Sequence, residues 1–161
     1  MNTYRWYKLT KDICQMDHPA DHGYILLTEY PKHTVVEFHL QGLPPGLHGC
    51  HIHESADKRN GCVSLGPHYN HHKGTHLDLN KTNNHLGDLG NILIDMNGNC
   101  NSTIIVNDLP LTGSCRDSNQ VIGRSIVIHE KVDDLGMGNN KESKENGNSG
   151  NRICCGIIGF L

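Results

Sequence analysis

Between residues 47 and 88 the chain reads LHGCHIHE, GPHYN, THLDL and HLGD, and at 125–131 it reads SIVIHEK. Imidazole nitrogen suits copper, zinc, iron and nickel, and carboxylate adds an oxygen donor that zinc accepts. His51, His53, His68, His76, His85, Asp88 and His129 stand in types and spacings suited to two metal ions that share a ligand. His51 and His53 are two apart in an apolar-flanked run. Alternate residues of a strand share one face, so a rigid strand would present both rings to a single ion. His129 ends the alternating run Ile126-Val127-Ile128-His129, from which it would reach the same ion from a neighbouring strand. Ligands on rigid elements are what a redox ion needs if its geometry is to change little.

The other donors, His68, His76, His85 and Asp88, fall in a segment rich in Gly, Asn, His and Asp. Three imidazoles and a carboxylate make a tetrahedral set for zinc, which is redox-silent and tolerant of geometry. Gly74, Gly87 and Gly90 allow the backbone to wrap closely around an ion. Any one of these histidines alone reads better as a surface or hydrogen-bonded residue, and the joint pattern reverses that. Seven of the thirteen histidines keep the plainer reading. His48 is expected to be a core hydrogen-bonder, His71 and His72 lie close enough to His68 to compete for metal, and His18, His22, His33 and His39 have no motif around them.

The elements that must position these donors are strands. Short apolar or alternating runs at 24–30, 34–40, 47–54, 89–96, 100–106, 121–130 and 153–160, separated by turn residues, predict a sandwich or barrel. The opening strand is either Tyr4–Leu9 or Ile13–Met16. Asn97-Gly98 between two of the runs is a hairpin signal, since both residues tolerate positive φ. Two long segments break the strand rhythm: 55–88, expected to fold around metal, and the polar stretch 131–151, for which a flexible linker is the plain alternative.

Length and composition agree with a single all-β domain spanning 1–161, with 18 glycines, 6 prolines and only 5% aromatic residues. A formal charge of −3 and the lack of a basic stripe argue against nucleic acid as partner. No run approaches the roughly 20 apolar residues of a membrane span. The polar start MNTYRWYKLTKD lacks the apolar stretch of a signal peptide, so a cytoplasmic address is expected. Seven cysteines are an odd number, and in a reducing compartment thiols are the default. Cys14, Cys50, Cys100, Cys115 and Cys154 are read as packed thiols. Adjacent Cys154 and Cys155 should face opposite sides of a strand.

GLHGCHIHE (46–54), GC (61–62), GPHYN (66–70), HLGDLGN (85–91), IGRSIVIHEKVDDLG (122–136) and GNSGNRICCGIIG (147–159) together resemble copper/zinc superoxide dismutase of the eukaryotic cytosolic type. The resemblance runs from about residue 23 to the C-terminus. It implies an eight-stranded Greek-key β-barrel with a long metal-binding loop and a polar steering loop. It implies copper on His51, His53, His68 and His129, and zinc on His68, His76, His85 and Asp88, with His68 shared. Asp133 matches the carboxylate that orients ligands of both ions, Cys62 and Cys155 match an intrasubunit disulfide, and Arg152 matches the anion-guiding arginine beside copper. The implied activity is disproportionation of superoxide to dioxygen and hydrogen peroxide by Cu(II)/Cu(I) cycling beside the His-bridged zinc. A homodimer and delivery of copper by a chaperone are implied as well. The Asn-, Ile- and Lys-rich composition is similar to that of homologues from giant DNA viruses of the Megavirus kind, which would place the protein in host cytoplasm or a virion.

Two departures accompany the resemblance. Lys141, Glu142 and Glu145 stand where the family's steering loop usually has two acids followed by a lysine, so charge is permuted and its sum kept. Ser55 and Ala56 stand where dimeric members often have a larger apolar residue and then glycine. A competing reading is a copper-binding, chaperone-like or decoy homologue without turnover. Such a chain would be expected to lose a copper ligand, the bridge or the arginine, and none is missing. A structural domain that binds zinc alone leaves His51, His53 and His129 unexplained.

Overall fold

Along His33–Leu40, Thr34, Val36, Phe38 and Leu40 are buried while the residues between them are partly exposed, the period-two pattern of a strand with one face on a core. The computed structural model describes residues 10–17, 19–71, 73–78, 84–112 and 119–161. Eight strands occur in it: β1 (Thr10–Gln15), β2 (Gly23–Glu29), β3 (His33–Leu40), β4 (Gly46–His53), β5 (Asp88–Ile94), β6 (Cys100–Asn107), β7 (Ser125–His129) and β8 (Arg152–Phe160). Every strand pair is antiparallel, in the hydrogen-bonded order β5-β4-β7-β8-β1-β2-β3-β6. The result is an all-β, eight-stranded Greek-key barrel, nearly closed where β5 and β6 face each other across the seam.

Its interior is filled by aliphatic side chains from facing strands, among them Ile25, Leu27, Val36, Phe38, Ile52, Ile94, Ile126, Ile128 and Ile158. β4 and β7 depart from one-sided burial. Cys50, Ile52, Ile126 and Ile128 face this core, and the alternate residues His51, His53, Val127 and His129 are buried as well, because loops cover the outer face. A second cluster of Cys62, Leu65, Val127 and Cys155 forms under that cover. Within it Cys62 and Cys155 are joined in a disulfide across 93 residues, tying the short 3-10 turn Gly61–Leu65 to β8. Such a cross-link contributes about 2–4 kcal/mol. Cys154 points the other way, into the main core, as adjacent strand residues must.

The expected elements are present with differences of physical interest. The opening strand is Thr10–Gln15, which overlaps the Ile13–Met16 candidate, while Tyr4–Leu9 lies outside the described residues. The run 121–130 is a strand only from Ser125, since Gly123 takes a φ of 76° and Val121 hydrogen-bonds to the carbonyl of Pro110. Asn97-Gly98 does form a tight turn, with the Asp95 carboxylate accepting from the amides of Asn97 and Asn99. Yet β5 and β6 do not pair as a hairpin. β4 takes up the edge of β5, and β3 pairs with β6 over eight residues. Within 131–151 a one-and-a-half-turn helix, α1 (Lys141–Asn146), replaces the flexible linker considered from the sequence.

Candidate metal centre

His51 and His53 project from the outer face of β4, and register pairs them with Val127 and Ser125 of β7. His129 ends β7 at a bulge opposite Arg152. The covering loop crosses back over the end of β4, where His53 and His68 form an isolated antiparallel bridge. These four residues are buried, and one ring nitrogen of each lies within 4.8 Å of the others. A second group under the same criterion is His51, His68, His76 and Asp88. His68 belongs to both, with its ring centroid 3.9 Å from His51, 4.9 Å from His53 and 5.2 Å from His76.

The predicted second set contains His85 and not His51. His85 is nonetheless there, its Nδ1 3.3 Å from Oδ1 of Asp88, although without hydrogen-bond geometry. The same oxygen accepts from Nδ1 of His68 at 3.0 Å and from Nδ1 of His76 at 2.9 Å. Three imidazoles thus converge on one carboxylate oxygen. His51 enters the second group because a ring nitrogen lies within 4.8 Å of ligand atoms of His68, His76 and Asp88, and its Nε2 donates to Oδ2 of Asp133 at 2.8 Å.

Hydrogen bonds fix which nitrogen each ring leaves available. His53 donates from Nδ1 to the carbonyl of Gly66 at 2.8 Å, and His129 from Nδ1 to the carbonyl of Gly150 at 3.2 Å. Their Nε2 atoms face each other at 3.3 Å. Nδ1 of His51 and Nε2 of His68 are buried with no hydrogen-bond partner. Orphaned polar atoms at such depth are rare, and their convergence with two further lone pairs is the pattern of a cation site. Nδ1 of His51 and Nε2 of His53, His68 and His129 therefore form one set of four nitrogen donors for a cation, of a type that suits copper among other transition metals. Nδ1 of His68, His76 and His85 lie 2.9–3.3 Å from Oδ1 of Asp88, a set that would suit zinc once the protons that His68 and His76 give to Asp88 are displaced.

Electrostatics follow the same division. Burial holds His53 down at about 2 and His129 at about 4, and it lowers His51 and His68 likewise. All four rings are neutral at pH 7, the form that binds metal. His76 differs. Burial opposes its charge, but hydrogen bonds to Asp133 and Asp88 raise it to about 9. Burial likewise opposes ionisation of Asp88, and the histidines around it hold its carboxyl well below the ordinary carboxylate range.

Asp133 accepts from His51 through Oδ2 and from His76 through Oδ1 at 2.7 Å, so one carboxylate orients a ring of each set. It is itself held by Asn91, which donates to its carbonyl and accepts from its amide. Arg152 donates to the carbonyls of Cys62 at 2.8 Å and Gly66 at 2.6 Å, so the disulfide-bearing loop aims its guanidinium. A cleft of about 850 Å³ opens from His53, His68, His129 and Arg152 toward exposed Lys141, Lys144 and Glu145. Glu142 does not line it.

His48 is buried, with its two ring nitrogens 2.8 Å and 2.9 Å from the carbonyls of His129 and Pro44. His22, His33 and His39 are partly exposed and His71 exposed, while His18 and His72 lie outside the described residues. Cys14, Cys50, Cys100 and Cys154 are buried thiols, and Cys115 lies outside the described residues. Lys144 in the cleft wall, Asn91 behind Asp133 and Arg124 over Tyr69 were not singled out from the sequence. The KESK spacing is the one signal for Lys144, and it has meaning only once 141–146 is known to be a helix.

Comparison with known proteins places this arrangement. The family model for copper/zinc superoxide dismutase matches residues 21–158. The crystal structure of the clock protein EA4 is similar over 99% of this chain and 100% of its own, at 34% identity and a TM-score of 0.88. With the family match spanning all but the two ends, the chain belongs to the copper/zinc superoxide dismutase family.

Proposed function

We propose that the protein disproportionates superoxide, two O2•− and two protons giving O2 and H2O2. The observation that carries this reading is His68, whose Nδ1 lies in one buried donor set while its orphaned Nε2 lies in the other. Copper on His51, His53, His68 and His129 would supply the one-electron oxidation and reduction, and zinc on His68, His76, His85 and Asp88 would hold the shared ring. The chain's own residues do the rest. Arg152, fixed by the carbonyls of Cys62, Val63 and Gly66, binds and orients the anion. His68 takes and returns a proton at Nε2. Asp133 keeps the rings of His51 and His76 in their tautomers and orientations.

The alternative is a homologue that holds copper without turnover. Its one specific support is that the 34% identical structure is that of a protein described as a clock protein. Against it, all four histidines of the first set and Arg152 are present. The full chain loaded with one copper and one zinc should consume superoxide. His129→Ala should abolish turnover, and Arg152→Ala should reduce it while copper stays bound. Stoichiometric metal with no superoxide consumption would establish the binding reading instead.

Assembly and location belong to the same proposal. The C-terminal run Ile153–Leu161 ends in Phe160 and Leu161, 73% and 71% exposed, and an apolar end of this kind suits half of a homodimer interface. Light scattering that finds only the 17.9 kDa species would remove the dimer. No helix among the described residues is long and apolar enough to cross a membrane. A cytoplasmic setting with copper supplied by a chaperone accords with the family.

A further inference from the structure

Arg124 lies outside both donor sets, immediately before β7. Its Cζ sits 3.7 Å from the centroid of the Tyr69 ring. Its Nη1 donates to the carbonyl of Glu54 at 3.0 Å and its Nε to the carbonyl of Gln120 at 2.7 Å. The carbonyl of Arg124 accepts from the amide of Ile158 at 2.9 Å, anchoring the group to β8. Glu54 directly follows His53, and Tyr69 directly follows His68.

Those two pairs are where the covering loop is stitched to the end of β4. Backbone bonds make the stitch: Glu54 donates to Pro67 at 3.1 Å, Ser55 to Leu65 at 3.0 Å and Tyr69 to Ile52 at 2.8 Å, while Gly87 donates to Tyr69 at 2.9 Å and accepts from Ile52 at 2.8 Å. A guanidinium presents donors in a rigid fork and stacks through its face, so a single group holds a carbonyl and a ring together. An ammonium supplies the charge without the fork.

We infer that Arg124 is a positioning residue for the two-metal centre, fixing the bridging His68 against His53 by clamping Tyr69 to Glu54. The inference rests on the superoxide dismutase reading for its purpose, though its geometry does not. A plain fastener of the barrel would occupy the same place, so the test must separate local from global effects.

Amide hydrogen exchange and the Cu(II) electron paramagnetic resonance spectrum should be compared for the wild-type chain, Arg124→Ala, Arg124→Lys and Tyr69→Leu. Exchange is read with and without copper and zinc. In Arg124→Ala the amides of Glu54 and Tyr69 should exchange at least tenfold faster while those of β2 and β3 keep their rates. The copper hyperfine splitting should shift with copper still bound. Arg124→Lys should fall between Arg124→Ala and wild type. Tyr69→Leu, which leaves the backbone bonds in place, should accelerate the Glu54 amide and keeps the test open if Arg124→Ala does not fold. Uniform acceleration of all strands, an unchanged copper spectrum, or Arg124→Lys equal to wild type would overturn the inference. If the wild type bore both metals but consumed no superoxide, the enzymatic reading would fail, and the local exchange result would stand or fall separately.

Discussion

Any side chain at Gly147 would collide with Oδ1 of Asp133, the oxygen that accepts from His76. Gly147 also ends α1 with a φ of 68°, in the left-handed region that side chains enter only at a cost. The helix of the polar loop therefore packs its terminus directly against the carboxylate behind both donor sets. Gly147→Ala should destabilise the protein by at least about 1 kcal/mol through backbone strain alone. It should also displace Asp133 and weaken zinc binding by about 10–100-fold, the usual consequence of losing a ligand's hydrogen-bond partner. Competition against a chromophoric chelator measures this. Zinc affinity equal to wild type would show that Asp133 does not need its present position.

The substitution Asp133→Asn keeps size and removes one acceptor. His51 and His76 both donate to this carboxylate, so one of them would meet an NH2 group and lose its partner. Zinc content at limiting metal should fall, and the copper spectrum should change because His51 is released. Retention of both metals with an unaltered spectrum would assign the orienting role elsewhere.

What the sequence made legible follows from the range of the interactions involved. His51 and His53 are separated by one strand period, and His129 ends an alternating run, so their common face needed only local reasoning. His76 and His85 were recognisable as donors, but their convergence on Asp88 depends on how the loop crosses β4. The Greek-key order was carried by the family resemblance. Local turn chemistry at Asn97-Gly98 pointed to a hairpin, and long-range pairing of β6 with β3 overrode it. The helix α1 is not legible in the sequence because its stability is tertiary. Asn140 caps Ser143, and the Ser143 hydroxyl bonds to Asp134 in a different part of the loop.

The metal-free protein should lose stability in mild acid. His51, His53, His68 and His129 have folded values below the unfolded 6.5, so below pH 6.5 the unfolded chain takes up protons that the folded chain refuses. Unfolding free energy then falls with decreasing pH by up to about 1.4 kcal/mol per unit for each such ring. His76 has the opposite sign. Its folded value of about 9 gives stability that is complete below 6.5 and lost as pH rises through 9. The stability of the EDTA-treated chain should therefore peak near pH 6.5–7. Urea midpoints at pH 5, 6, 7, 8 and 9 test it, and a flat series from 5 to 7 would contradict the neutral-ring assignment.

The core thiols should be inert in the folded state. Burial raises Cys14 to about 12 and moves Cys50 in the same direction, so almost no thiolate exists at pH 8 and no solvent reaches it. Cys154 is equally buried, and Cys100 nearly so. Iodoacetamide at pH 8 should leave these four unmodified and label them after denaturation. Peptide mass analysis reads the outcome site by site, and rapid labelling of Cys14 or Cys50 in folded protein would mean that the barrel opens.

Steering of the substrate should depend on Lys144 more than on Lys141. Both line the cleft, but Lys141 lies 3.2 Å from Glu145 one helical turn away, which offsets its field. Lys144 donates to the carbonyl of Gly136, a neutral partner that leaves its charge in place and holds it near the entrance. Lys144 and Arg152 both line the cleft that leads to the buried histidines. Lys144→Gln should lower kcat/KM for superoxide several-fold at low ionic strength, and Glu145→Gln should raise it. Both differences should shrink as salt brings the screening length to about 8 Å at 0.15 M. The comparison at high salt separates lost charge from the lost hydrogen bond, since only the former is screened. Wild-type activity that falls no faster with salt than that of a neutral-substrate control would show that these charges do not guide the anion.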